Sequence, residues 1–499
     1  MDMAEDGSHS ASQFSAEFHL KHDEQVSETD VPLETPTAVD GEAAAQWTAY
    51  ISYDFTQGPV KTCTTGRTLC NNLVTTGDVK GGLNSNFCKA LKWSPDGTCL
   101  LSSTADNTFR VFEKPAYIEY EGSTIVEAPL TPVLTISEPE CVYDFQWYPL
   151  MNSTDPATCC FLSSVRDHPI RLWDAYTGQL RCSYVAFDHL DQVQAPNCLT
   201  FNLDGTKLYC GFNNLIQIFD THRPGRDCVR KPTSPNKKSK KGQKGLISSI
   251  AFNPDQSGMY AAGSYTGSIG LYDERNDELL CQMRDTDGRG ITQVEFSRDG
   301  SYLFSASRKS DKLLAWDIRN TGDILATYPR QGNTNQRISF SLDPSGRYLS
   351  TGDQTGDVLI YDLHTNELAK RFQGHQDVVS SAVFHPTLPL LGTCSGQRRD
   401  IILDAPVYDA NGAVEYIDVD ASDADTDEDE EGDEEEGELK AASANRIVVD
   451  SSVAIWRVPH EWVPITGEQE QQLELQEAVT EEMGGVETAD QQASEPSVL

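Results

Sequence analysis

Through most of the chain, apolar and polar positions alternate in short runs, and little repeats at helical spacing. Tyr302-Leu-Phe-Ser-Ala-Ser307 and Leu313-Leu-Ala-Trp316 are typical, each about one strand long. The runs belong to a larger repeat. An aromatic residue followed by a turn occurs seven times, first as Trp93-Ser-Pro-Asp-Gly97, Trp147-Tyr-Pro149, Phe201-Asn-Leu-Asp-Gly205 and Phe252-Asn-Pro-Asp255. It continues as Phe296-Ser-Arg-Asp-Gly300, Phe340-Ser-Leu-Asp-Pro-Ser-Gly346 and Phe384-His-Pro386. Successive aromatics lie 54, 54, 51, 44, 44 and 44 residues apart. Pro-Asp-Gly and Asp-Gly close tight hairpins, because Pro fixes φ and Gly tolerates positive φ. The third predicted strand of each unit ends in an aromatic, usually with an acid behind it. These are Phe112-Glu113, Trp173-Asp174, Phe219-Asp220, Tyr272-Asp273, Trp316-Asp317, Tyr361-Asp362 and Trp456.

That period, with two literal Trp-Asp pairs, predicts an all-β fold: a seven-bladed WD40 β-propeller over residues 46–464. The seventh unit is interrupted, since its turn is at Phe384 but its aromatic strand arrives only at Trp456. A propeller pairs its first and last blades to remove sheet edges, and residues 47–55 are expected to supply the closing strand. An acidic disordered insertion is expected at about 400–445, in the last blade. Residues 1–45 and 465–499 are expected to be disordered acidic tails, with a transient helix at 469–480.

Charge changes the picture only once it is placed. Of a net −38, residues 1–45 hold 11 acids and one Lys, 400–440 hold 18 acids and Lys440, and 459–499 hold 10 acids and no base. The rest is close to neutral, so the acidity does not exclude a polyanionic partner. Residues 1–6 are acidic with no apolar segment after them, and no run approaches the ~18 apolar residues of a membrane helix. Neither secretion nor a membrane partner is expected. The 13 cysteines are scattered and odd in number, which suits a reducing compartment and buried small hydrophobes.

No phosphate loop, His-Glu-x-x-His or Gly-x-Ser-x-Gly is present, so no enzyme, cofactor or metal site is expected. His375 reads as a packing residue, and Asp188 with Asp191 as a solvated loop. Basic groups say more. Residues 222–245 carry nine Lys and Arg against Asp227, among them Arg223, Arg226, Lys237, Lys238, Lys240 and Lys241. The stretch reads as a connecting arm for phosphate backbones, as a nuclear localisation signal, or as a solvated loop. A second set falls in turns that share one propeller face: Arg166, Arg308, Lys309, Arg398 and Arg399 between second and third strands, and Arg330, Gln336 and Arg337 between blades. Such a rim suits RNA, because the arginine fork matches phosphates and base edges. The alternative is that each arginine pairs with an Asp of a neighbouring blade.

Several segments also carry a family likeness. Lys92-Trp-Ser-Pro-Asp-Gly97, Tyr143-Asp-Phe-Gln-Trp-Tyr148, His168-Pro-Ile-Arg-Leu-Trp-Asp-Ala-Tyr-Thr-Gly178 and Asp188-His-Leu-Asp191 closely resemble the telomerase Cajal body protein family. So do Arg223-Pro-Gly-Arg-Asp-Cys228, Gly263-Ser-Tyr265, Arg308-Lys309, Thr334-Asn-Gln-Arg-Ile338, Leu388-Pro-Leu-Leu391 and Ser395-Gly-Gln-Arg398, and the likeness spans 87–398. The resemblance implies a nuclear scaffold that binds the CAB box of small Cajal body RNAs and directs their RNPs to Cajal bodies. Those RNAs and their RNP proteins are the implied partners, with telomerase RNP a further client, and sequence-specific DNA binding is not implied. The Asp/Glu insertion and the Lys-rich stretch depart from the family pattern. The competing reading is a protein-only WD adaptor such as a ubiquitin-ligase substrate receptor, suggested by Trp316-Asp-Ile-Arg319.

Overall fold

The structure is a computed structural model that describes residues 49–66, 74–75, 83–84, 86–116, 127–188, 190–235, 241–276, 278–285, 287–320, 323–398, 400–401, 407–408, 414–417, 446–447 and 450–464. The expected tails with their helix, and the acidic run 418–438, lie outside the described residues. Seven sheets form the blades, each with antiparallel strands a to d from the centre outward, and in the seventh the short Ala128–Pro129 adds a fifth strand, parallel to strand d. Blade 1 is Cys88–Trp93, Cys99–Thr104, Thr108–Glu113 and Leu134–Ser137, and blade 2 is Val142–Trp147, Cys160–Val165, Ile170–Asp174 and Leu180–Tyr184. Blade 3 is Cys198–Phe201, Lys207–Phe212, Leu215–Asp220 and Cys228–Pro232, and blade 4 is Ile247–Phe252, Met259–Ser264, Ser268–Asp273 and Leu279–Arg284. Blade 5 is Ile291–Phe296, Tyr302–Ser307, Lys312–Asp317 and Ile324–Pro329, and blade 6 is Phe340–Leu342, Tyr348–Gly352, Asp357–Asp362 and Glu367–Gln373. All seven aromatics that mark third strands lie on or at the end of strand c.

Blade 7 joins distant parts of the chain. Its strands are Val379–Phe384, Leu390–Ser395, Val453–Arg457 and, as strand d, Val60–Thr64. The closing strand is therefore Val60–Thr64 and not 47–55. Within 47–55, Ala49–Tyr53 instead pairs with His460–Pro464 in a two-stranded ribbon, and Tyr53 packs on Phe384 and Tyr348. The earlier segment has the stronger aromatic pattern, but the later one has the inward Cys63 that the core between blades 7 and 1 requires.

The apolar residues form seven cores, one between each pair of neighbouring blades, including one between blades 7 and 1 that seals the ring. Repeat proteins are stable in this way because a single blade cannot bury both faces. The strand-c tryptophans have a polar role as well. Trp173, Trp316 and Trp456 each donate their indole N–H to a strand-b hydroxyl, on Ser163 at 3.0 Å, Ser305 at 2.9 Å and Thr393 at 2.8 Å. In blade 7, His375 bonds both Thr393 (2.7 Å) and Ser452 (2.8 Å), which satisfies both ring nitrogens and leaves no free base. Gly97 turns with φ of 73°, and a Cβ there would sit 2.3 Å from the His385 ring, so only Gly admits this contact between blades.

Candidate nucleic-acid interface

Antiparallel strands send every b–c turn and every d–a link to the same face of the ring. Arg166, Arg308, Lys309 and Arg398 are exposed there, and Arg337 is half-buried. Arg166 lies against the Tyr143 hydroxyl, and Arg308 donates to Asn335 at 2.7 Å with its guanidinium 5.8 Å from the Tyr265 ring centre. Both tyrosines are exposed. Among the described residues, the ion pairs of this rim include Arg337 with Asp144 at 3.9 Å but none from Arg166, Arg308 or Arg398. Arg337 thus faces an Asp across the channel, in blade 2, and among the described residues none of the four arginines pairs with a neighbouring blade's Asp. Gln336 lies beside it and donates to the Gly396 carbonyl at 2.7 Å. Arg330, expected on the rim, is 6 % exposed and bonds the Ile338 carbonyl and the Thr351 hydroxyl. Burial pushes it down to about 10, so it stays charged as a structural cation. Arg399 lies outside the described residues.

The Lys-rich stretch is not one connecting arm. Cys228–Pro232 within it is strand d of blade 3, because Val229 and Lys231 pair with Ile218 and Ile216. Arg223 and Arg226 precede this strand, in the c–d turn and away from the b–c turns. Arg223 faces Asp220 at 3.8 Å, and Arg226 faces Asp191 at 3.6 Å with its guanidinium 4.6 Å from the Phe187 ring centre. The link that follows does leave on the rim face, and its base is anchored. Thr233 donates to the Gln243 carbonyl at 2.8 Å, and the buried Gln243 amide donates to the Ala262 and Ser268 carbonyls. Lys241 is exposed, and Lys237, Lys238 and Lys240 lie outside the described residues.

Inside the rim, the seven a strands enclose a channel of about 680 Å³. Lys92 donates to the Phe145 carbonyl (2.6 Å) and to Gln146 (2.7 Å), and Asp144 accepts from the Leu199 amide at 3.1 Å. Gln293 exchanges bonds with the Phe340 backbone and donates to Glu295 at 3.2 Å. These bonds tie successive blades together. Burial raises Glu295 to about 7, whereas burial lowers His375 to about 4. A carboxyl raised in the folded state contributes stability that is full below its unfolded pKa and is lost as pH rises through about 7. Glu295→Gln is therefore expected to melt above the parent at pH 8, with the gap closing toward pH 5. His375 acts with the opposite sign, but it is common to both proteins and cancels in the difference. Paired melts across this range check it, and a gap independent of pH would refute the assignment.

The fold and its two strand-c Trp-Asp pairs define a WD-repeat β-propeller, with arginine–tyrosine pairs on one face. Residues 75–113 match the family described as "WD domain, G-beta repeat". Telomerase Cajal body protein 1 of Mus musculus is 43 % identical over 322 residues, covering 63 % of this chain and 60 % of the relative. The Drosophila melanogaster homolog is 36 % identical over 321 residues, covering 62 % and 57 %. Guanine nucleotide-binding protein negative regulator 1 of Schizosaccharomyces pombe is 32 % identical over 277 residues, covering 54 % and 68 %. Over its propeller the chain is homologous to the telomerase Cajal body proteins. It spans about three fifths of the length of the mouse relative.

Proposed function

We propose that this chain is an RNA-binding scaffold that recognises the CAB box in the hairpin loop of small Cajal body RNAs and directs their RNPs to Cajal bodies. The observation that carries the reading is the pairing of exposed cations with exposed tyrosines on one face, Arg166 with Tyr143 and Arg308 with Tyr265. Single-stranded loops are read in this way, by bases splayed onto aromatic rings and guanidinium planes. The relatives' name supports a nuclear site and telomerase RNP as a client. In this reading Arg166, Arg308, Lys309, Arg337 and Arg398 meet the loop, and Lys237, Lys238, Lys240 and Lys241 meet its backbone. Arg223 and Arg226 contribute only where the RNA stem extends past the outer edge of blade 3.

The competing adaptor has an observation of its own, since the yeast relative is named for a protein partner. Its proposed contact is weaker. Arg319 is forked onto Asp317 at 3.0 and 2.9 Å, within its own turn. A gel shift of the full chain with a small Cajal body RNA and a scrambled loop tests the choice. Changing the four lysines to Ala is expected to reduce the salt slope of log K by roughly 3, at about 0.7 per phosphate of a single strand. Preference for the matched loop persists in that variant. Arg166→Ala, Arg308→Ala and Arg398→Ala are each expected to lose about 1–3 kcal/mol of that preference with little change in melting. An RNA affinity equal for matched and scrambled loops would favour the adaptor.

A further inference from the structure

At the rim end of the channel, between the first strands of blades 1 and 2, lies a recess of about 250 Å³. Phe87 and Tyr143 provide its rings, Lys89 stands at its edge, and Gln336 with Arg337 form another side from the link between blades 5 and 6. Ser103, only 2 % exposed, also lines it, and the Ser103 hydroxyl has no hydrogen-bond partner. Burying a hydroxyl without a partner forfeits its hydrogen bonds to water, and native proteins rarely carry one without a use. The recess is smaller than the roughly 300–1,000 Å³ of pockets for drug-sized ligands, so it suits one ring system and not a whole nucleotide.

Resting on the RNA reading above, we infer that this recess takes one unstacked nucleobase of the bound loop. Its walls are mainly apolar, as a base's faces require, and it is placed where the basic rim converges. The polar groups select the edge. Arg337 brings only donors, Asp144 already accepts from the Phe145 and Leu199 amides, and Gln336 donates to the Gly396 carbonyl, so the arginine fork stands beside two adaptable groups, the Ser103 hydroxyl and the Gln336 amide oxygen. That favours an acceptor-rich edge, and guanine's O6 and N7 are such an edge for an arginine fork. Ser103 then gains the partner it lacks, and Lys89 meets the phosphate that follows. Tyr143 stacks on the base, with Arg166 close by on the same rim.

The test uses the full chain and a set of hairpin RNAs in which each loop nucleotide in turn is made abasic. With the parent protein, one position, a guanine, is expected to lose about 10-fold or more in affinity, in the range of one lost base stack. With Ser103→Val, which removes the hydroxyl and fills the recess, the intact RNA already binds about 10-fold more weakly and the abasic change at that position adds little. Tyr143→Leu, at an exposed ring, serves as the second variant if Ser103→Val melts early, with the same expectation. Parent protein that binds the loop, while every abasic loss is the same in parent and variant, overturns the recess alone. Parent protein that binds no loop RNA overturns the RNA reading and the recess with it.

Discussion

A chain lacking residues 1–66 is expected to show no cooperative unfolding transition, whereas one lacking only 1–45 melts like the full protein. The difference is the closing strand. Val60–Thr64 pairs along Val453–Arg457, Thr62 donates its hydroxyl to the Ile455 carbonyl at 2.8 Å, and Cys63 is fully buried against blade 1. Removing it strips blade 7 to three strands, exposes the edge of Val453–Arg457, and opens the core around Trp93, Leu100 and Leu130. The same deletion takes Tyr53 and Phe55 off Tyr348. These losses together are comparable with the ~5–15 kcal/mol that holds a typical domain folded, and the freed edge is a template for aggregation. Circular dichroism melts and size-exclusion profiles of the two truncations decide it. A monomeric chain without 1–66 that still unfolds in one sharp step would show that the ring stands without its closing strand.

Arg171→Ala is expected to cost about 3 kcal/mol, the lower end of the range for breaking a buried pair. Its partner Glu138 has a side chain with no exposure, and it also accepts from Ser163 at 2.7 Å and from the Trp173 indole at 2.9 Å. Alone, that carboxylate would face the core between blades 1 and 2 with two neutral donors. The lower end applies because the Arg171 side chain is 18 % exposed, so some water replaces it. Arg171→Met with Glu138→Gln is expected to recover most of the loss, since it removes both charges and keeps the donors' acceptor. Chemical denaturation of the three proteins measures this. A single variant within a few tenths of a kcal/mol of the parent would mean that the pair carries no stability.

The ring was legible because each blade repeats local chemistry: an aromatic, a turn and three alternating strands. All seven aromatic strand ends, including the delayed Trp456, took the expected place. Closure was harder, because strand Val60–Thr64 has no repeat-specific mark and only its partner across the ring reveals it. The basic stretch was misread in part, since charge counts do not show that Cys228–Pro232 pairs with strand c through its backbone. Arg330 looked like Arg337, and only the Thr351 hydroxyl and the Ile338 carbonyl distinguish the buried cation from the half-exposed one. The rim tyrosines were hidden for a different reason. Tyr143 sits where the pairing of strands a and b slips between Val142 and Asp144, and such a bulge turns a side chain away from the face that alternation assigns to it.

The position of that closing strand also governs how the molecule is made. Val60–Thr64 emerges from the ribosome hundreds of residues before its partner, and Thr62 bonds a carbonyl 393 positions later. At about 5–20 residues per second, the first strand waits roughly 20–80 s for Val453–Arg457 to exist. During that time blades 1 to 6 can stack on one another in order, but blade 1 keeps Leu91, Trp93 and Leu100 on an open flank with nothing to cover them. The ring is thus assembled as an arc that grows blade by blade and becomes a circle only once Val453–Arg457 has been made.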